Sequence, residues 1–151
     1  MATEKWVLGT YNWTTINSTE VNSLANGSAV LLANVIPNGT NLDIFMDISI
    51  AIGSAAFAAP NYIGFYIYPL NEDGSTYGDG RYGSAAGGPP PSNYWKGNIV
   101  IPATTGAQVG TLQGTILPPG DLKIVLYNQG GIALASGSNT VKIRTYNRSI
   151  A

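Results

Sequence analysis

Leu42-Asp43-Ile44-Phe45-Met46-Asp47-Ile48-Ser49-Ile50-Ala51-Ile52 alternates without a break. Leu42, Ile44, Met46, Ile48, Ile50 and Ile52 fall on one side of an extended chain; Asp43, Phe45, Asp47, Ser49 and Ala51 fall on the other. Successive side chains of a strand point to opposite faces, so the pattern predicts a strand over 42–52 with one face committed to a core.

The same period recurs outward in both directions. Upstream, Asn38-Gly39 is a turn pair that follows a candidate strand over Ala29–Ile36, and Trp6–Tyr11 is another. Downstream, Ile63, Phe65 and Ile67 alternate with Gly64, Tyr66 and Tyr68 until Pro69. Asn98–Ile101 and Val109–Leu117 are shorter candidates, and Pro118-Pro119-Gly120-Asp121 makes a turn. Leu122–Tyr127, Ile132–Ala135 and Thr140–Tyr146 complete a series of about nine strands. One short helix is expected near the N-terminus over Asn17–Gly27, with a Ser or Thr start and an Asn-Gly stop.

Many short strands, regular turns and almost no helix predict an all-β chain forming a β-sandwich. Eight or nine antiparallel strands suit a jelly roll or an immunoglobulin-like sandwich; with no cysteine pair to support the second, the jelly roll is preferred. The 151 residues read as a single domain, 1–151.

Composition narrows the function. The chain has no histidine and no cysteine, the usual residues for proton transfer near neutral pH and for binding transition metals. Only 10% of residues are charged and the net charge is −1, so no basic surface draws nucleic acid or an anionic membrane. The low charge, with abundant amides, hydroxyls and tyrosines, suits a surface that lies against other protein. The opening residues, MATEKWVLGTYNW, lack the apolar core of a signal peptide, and no run approaches the roughly 18 apolar residues of a membrane span. The five Asn-x-Ser/Thr triplets read as by-products of composition.

Periodicity stops over 71–97, NEDGSTYGDGRYGSAAGGPPPSNYWKG. A connection this long is commonly functional or disordered. Its Tyr77, Arg81, Tyr82, Tyr94 and Trp95 are residue types enriched at protein interfaces, as are Trp6, Tyr11 and Trp13 near the N-terminus. These eight are the candidate interface residues. Either the loop docks on a neighbouring subunit or its aromatics pack back on their own sandwich. Asn71, Asp73, Ser75 and Asp79 offer oxygen ligands to calcium, but Tyr82 stands where a closing acid would be needed. No local carboxylate pair suits glycoside hydrolysis: Asp43 and Asp47 on an extended strand lie about 13 Å apart. No phosphate-binding motif occurs either. No catalytic residue, cofactor or metal site is therefore expected.

Ser23-Leu24-Ala25-Asn26-Gly27, Tyr66-Ile67-Tyr68-Pro69-Leu70, Asp73-Gly74-Ser75-Thr76-Tyr77 and Leu126-Tyr127-Asn128 occur in that order. The arrangement resembles the cement, or decoration, proteins on the capsids of tailed bacteriophages. The resemblance implies a non-enzymatic jelly roll that binds the major capsid protein, forms a dimer or trimer, and sits on the virion surface after synthesis in the bacterial host cytoplasm. It places the contacts on the 71–97 loop and the N-terminal segment. The alternative is a carbohydrate-binding jelly roll of a tail fibre or adhesin, whose loop Trp and Tyr faces would stack on sugars.

Overall fold

A computed structural model of the protein describes residues 4–8, 12–17, 19–57, 61–79 and 87–150, with the side chains of 4–8, 149 and 150 outside that description. The strands are β1 (Glu4–Leu8), β2 (Thr14–Thr15), β3 (Ala29–Leu31), β4 (Phe45–Ala56), β5 (Asn61–Pro69), β6 (Trp95–Ile101), β7 (Thr105–Ile116), β8 (Leu122–Gln129) and β9 (Thr140–Ile150). They form two antiparallel four-stranded sheets. Sheet 1 runs β1-β9-β4-β7, with the two-residue β2 also on β9; sheet 2 runs β3-β8-β5-β6.

The core lies between the sheets. Met46, Ile48, Ile50 and Ile52 of β4 and Val141 and Ile143 of β9 meet Ile63, Phe65 and Ile67 of β5 and Ile124 and Leu126 of β8. Each set is every second residue of its strand, as the period-two reading requires. At the open side, β6 approaches β7 closely: a Cβ on Gly110 would lie 2.2 Å from Ile99 Cγ2. Glycine there lets Ile99 seal the margin of the core.

The strand over 42–52 is shifted. It begins at Phe45 and continues to Ala56. Leu42 takes φ 50° and is 56% exposed, and Ile44 is also exposed. The cause is Asn38, whose buried amide donates to Asp43 O at 3.0 Å and accepts from Asp43 N at 2.7 Å. That clasp holds 38–43 as a loop carrying the chain from one sheet to the other. The strand expected over 29–36 shortens to Ala29–Leu31, with Ile36 making a separate bridge to Leu122.

The N-terminal helix is not formed among the described residues. Asn22 N reaches Thr19 O and Leu24 N reaches Val21 O in short turns, and Ser23 takes φ 55°. Ser23 N donates to Ala135 O, so this segment bonds across the structure instead of along a helix. Residues 132–135 likewise form a loop in place of the expected strand. Asn128, fully buried, donates to Leu24 O and Ile132 O and accepts from Gly130 N, and Leu134 N also reaches Leu24 O. Buried asparagines thus fasten the connections that cysteine or charge would fasten elsewhere.

Candidate protein interface

The outward face of a sandwich sheet is ordinarily polar. On sheet 1 an apolar row crosses it. Strand register sets Tyr146 of β9 opposite Phe45 of β4, and Phe45 opposite Ile116 of β7. Directly opposed residues share a face, so these three make an apolar row running across the sheet. The Phe45 and Tyr146 rings stack with centroids 5.6 Å apart, and Ile116 is 64% exposed. Leu8 of β1 is the register partner of Tyr146, and Trp6 that of Arg148.

Beside this row lies a polar hub. Asp47 is buried although it belongs to the outward set of β4. Its Oδ2 accepts from Arg144 Nε at 2.9 Å and Nη2 at 2.8 Å; its Oδ1 accepts from Gly114 N at 2.9 Å and the Tyr146 hydroxyl at 3.1 Å. The Arg144 guanidinium stands 4.9 Å from the centre of the Trp13 ring. Burial, then the hydrogen bond donated to Asp47, push the Tyr146 phenol above its ordinary pKa. Trp13, Arg144 and Tyr146 are thus tied to one another within the fold, and side chains fixed in this way lose less entropy in any contact. A cleft of about 230 Å³ opens next to them, lined by Thr14, Ile16, Val35, Pro37 and Arg144 among others.

The described part of the long loop packs on sheet 2. Asp73 accepts from Ser75 N, Thr76 N and the Thr76 hydroxyl. These bonds, that from the Thr76 hydroxyl first, lower its pKa to about 2. The Asp73 oxygens, among those offered to calcium by the sequence, thus serve the loop's own turn, and among the described residues no group of three acids could hold a metal. Tyr77 packs against the outer side of sheet 2, where Lys123 Nζ lies 5.3 Å from its ring centre. Gly78, at φ 59°, covers the buried Tyr68 ring so closely that a Cβ would lie 2.2 Å from Tyr68 Cδ2. Tyr94 meets Tyr68 from another direction, with centroids 4.4 Å apart. Gly87 then exchanges two 2.7 Å hydrogen bonds with Ala29, covering the free edge of β3.

The interface candidates therefore part company. Trp13 stands on sheet 1. Tyr77 and Tyr94 pack on their own sheet 2, the second of the two fates open to the loop. Trp95 belongs to β6, is 49% exposed and donates from Nε1 to Asn98 Oδ1 at 3.0 Å. Trp6 is described by its backbone alone; Tyr11, Arg81 and Tyr82 lie outside the described residues. Sequence reasoning missed Phe45, Ile116 and Tyr146. Phe45 carried a usable signal: a large apolar side chain in the outward phase of a strand whose other phase already fills the core.

No protein-family model, curated protein or solved structure matches this chain.

Proposed function

We propose that the protein is a non-enzymatic virion component that binds the outer surface of a bacteriophage capsid and stabilises it, through a jelly-roll domain. The observation that carries the reading is the apolar row Tyr146-Phe45-Ile116 with Trp13 and Arg144 beside it, on a sheet face that solvent alone would keep polar. Aromatic residues and arginine, pre-positioned and poor in net charge, are the chemistry of protein docking.

Strand pairing supports the jelly roll. Leaving out the two-residue β2, the first strand pairs with the last, β1 with β9; inside them β3 pairs with β8, β4 with β7 and β5 with β6. This nesting is that of one long antiparallel ribbon rolled into two sheets. Four of the acids favour a non-catalytic reading, because they serve the fold. Asp43 accepts from Asn147, Asp47 from Arg144, Asp121 from Gly39 N and Glu20 from Ala33 N. The partner on this reading is the major capsid protein, engaged by many copies, each a dimer or trimer.

The test is the survival of capsids under mild heat or osmotic shock, with and without added protein. Wild type restores heads that lack it. Ile116→Asp and Trp13→Ala lose that protection, whereas Val100→Asp, on the outward side of sheet 2, retains it. Full protection by Ile116→Asp removes sheet 1 as the docking face. Heads that never bind wild-type protein sink the capsid reading.

A further inference from the structure

We propose that the cleft around Tyr62 binds a neutral saccharide. Tyr62 opens β5 on the outward side of sheet 2, between its register partners Val100 of β6 and Gln129 of β8. It is 39% exposed, and the neighbouring Val100 is 67% exposed. Asn26, Gly27, Asn61, Gln129 and Gly131 complete a cleft of about 300 Å³ with Tyr62. Among the described residues no charged side chain lines it.

The walls are built, not incidental. Gly27 N donates to Asn128 O at 2.7 Å, Gly131 N donates to Asn26 Oδ1 at 3.0 Å, and Asn61 Nδ2 donates to Gly130 O at 3.3 Å. The first two bonds tie the 26–27 turn to the 128–131 turn, although the segments are 105 residues apart in sequence. The Asn26 bond uses its carbonyl oxygen, and among the described residues its amide NH2 keeps two donor positions. Gln129 adds a carboxamide with donors and an acceptor.

A pyranose presents an apolar C–H face and a rim of hydroxyls, each a donor and an acceptor. Its complement is a partly exposed aromatic ring flanked by fixed carboxamides, with glycines that let the ring come close to the backbone. Tyr62, Asn26 and Gln129, with Gly27 and Gly131, are that set. The uncharged lining favours a neutral sugar over a sialic or uronic acid, whose carboxylate would need a cation. A volume near the small end of ligand sites suits a single sugar ring. None of the residues named in this lining belongs to the 71–97 loop, where sequence alone put the sugar contacts. The cleft also faces away from sheet 1, so on the capsid-binding reading, and only on it, a docked copy presents the site outward.

The experiment uses the isolated full-length protein, independently of any capsid. Backbone amide shifts are followed while methyl glucoside, galactoside, mannoside and N-acetylglucosamine are added singly, with sialic acid as the charged comparison. At least one neutral sugar is expected to move the Gly27, Gln129 and Gly131 amides saturably in the millimolar range. Tyr62→Ala and Gln129→Ala are each expected to weaken that binding at least tenfold while keeping the wild-type melting midpoint. Absence of saturable shifts at those amides with every neutral sugar, or unchanged binding by both variants, overturns the site. Capsid protection by Tyr62→Ala should equal that of wild type, so the two proposals fail separately.

Discussion

Arg144 grips Asp47 with two nitrogens, at 2.9 and 2.8 Å, on the sheet face that turns away from the core. The pair does more than neutralise a buried acid. Asp47 also receives Gly114 N and the Tyr146 hydroxyl, so it ties β4 to both of its neighbours, β9 and β7. It thereby sets the plane in which Tyr146 and Trp13 stand.

Asp47→Ala removes the acceptor of three hydrogen bonds and leaves Arg144 without its counter-charge. Deleting one member of a buried pair costs roughly 3–5 kcal/mol. Arg144 is 31% exposed, so water recovers part of that and the expected loss is about 2 kcal/mol. Urea unfolding measures it. Lys142→Ala, on the same strand but exposed, should stay within about 0.5 kcal/mol of wild type. Equal stability of Asp47→Ala and wild type would remove Asp47 as the organiser of this face.

Asn128 is a fully buried fastening of the fold. Its amide satisfies Leu24 O, Ile132 O and Gly130 N in a site without solvent. Asn128→Ala strands those backbone groups and should cost about 3 kcal/mol, read as a lower melting midpoint. Asn93→Ala, on the exposed 3-10 turn Ser92–Tyr94, should cost almost nothing.

Gln108 predicts a gain. It is buried on the inward side of β7 opposite Ile52, and among the described residues neither its Oε1 nor its Nε2 has a hydrogen-bond partner. Gln108→Leu keeps the volume and removes the desolvated amide, so stability should rise by about 1–2 kcal/mol. A fall in the urea midpoint would mean that the amide is satisfied in solution.

Asp73 makes the 71–76 turn acid-sensitive. Its folded pKa, about 2, lies below the ordinary 3.8 of an aspartate, so the ionised form is the one the turn favours. Its contribution is present in full above the ordinary value and is lost as pH falls through the folded one. Hydrogen exchange at Ser75 N and Thr76 N should therefore accelerate, relative to the intrinsic rate, between about pH 4 and pH 2. In Asp73→Asn the protection should be lower at neutral pH and flat across that window. A flat profile in wild type would contradict the turn geometry.

Much of the fold was legible in the chain. The alternation in 63–68, 122–127 and 140–146 identifies strands whose inward residues, such as Phe65, Ile124 and Val141, do form the core. Such patterns are local, because burial of one strand face imposes period two wherever the strand lies. Ends were less legible. Leu42 and Ile44 keep the rhythm of β4, yet Asn38 holds them out of the sheet. Residues 17–27 carry helix punctuation, yet their backbone bonds go to Ala135 and neighbouring segments.

An all-β chain with two-faced strands, turn positions and a surface short of charge can be read from the order of residues alone. Which outward residues meet depends on how the strands pair. Tyr146, Phe45 and Ile116 come from three strands, and Asp47 reaches Arg144 across 97 residues. Tyr77 and Tyr94 share the composition of an interface with Trp13, but the loop folds them onto Tyr68 and sheet 2 instead. The physical reason is that periodicity reports the environment of a single strand, whereas a site is made by the register between strands. Register is set by pairings and clasps between residues far apart in the chain.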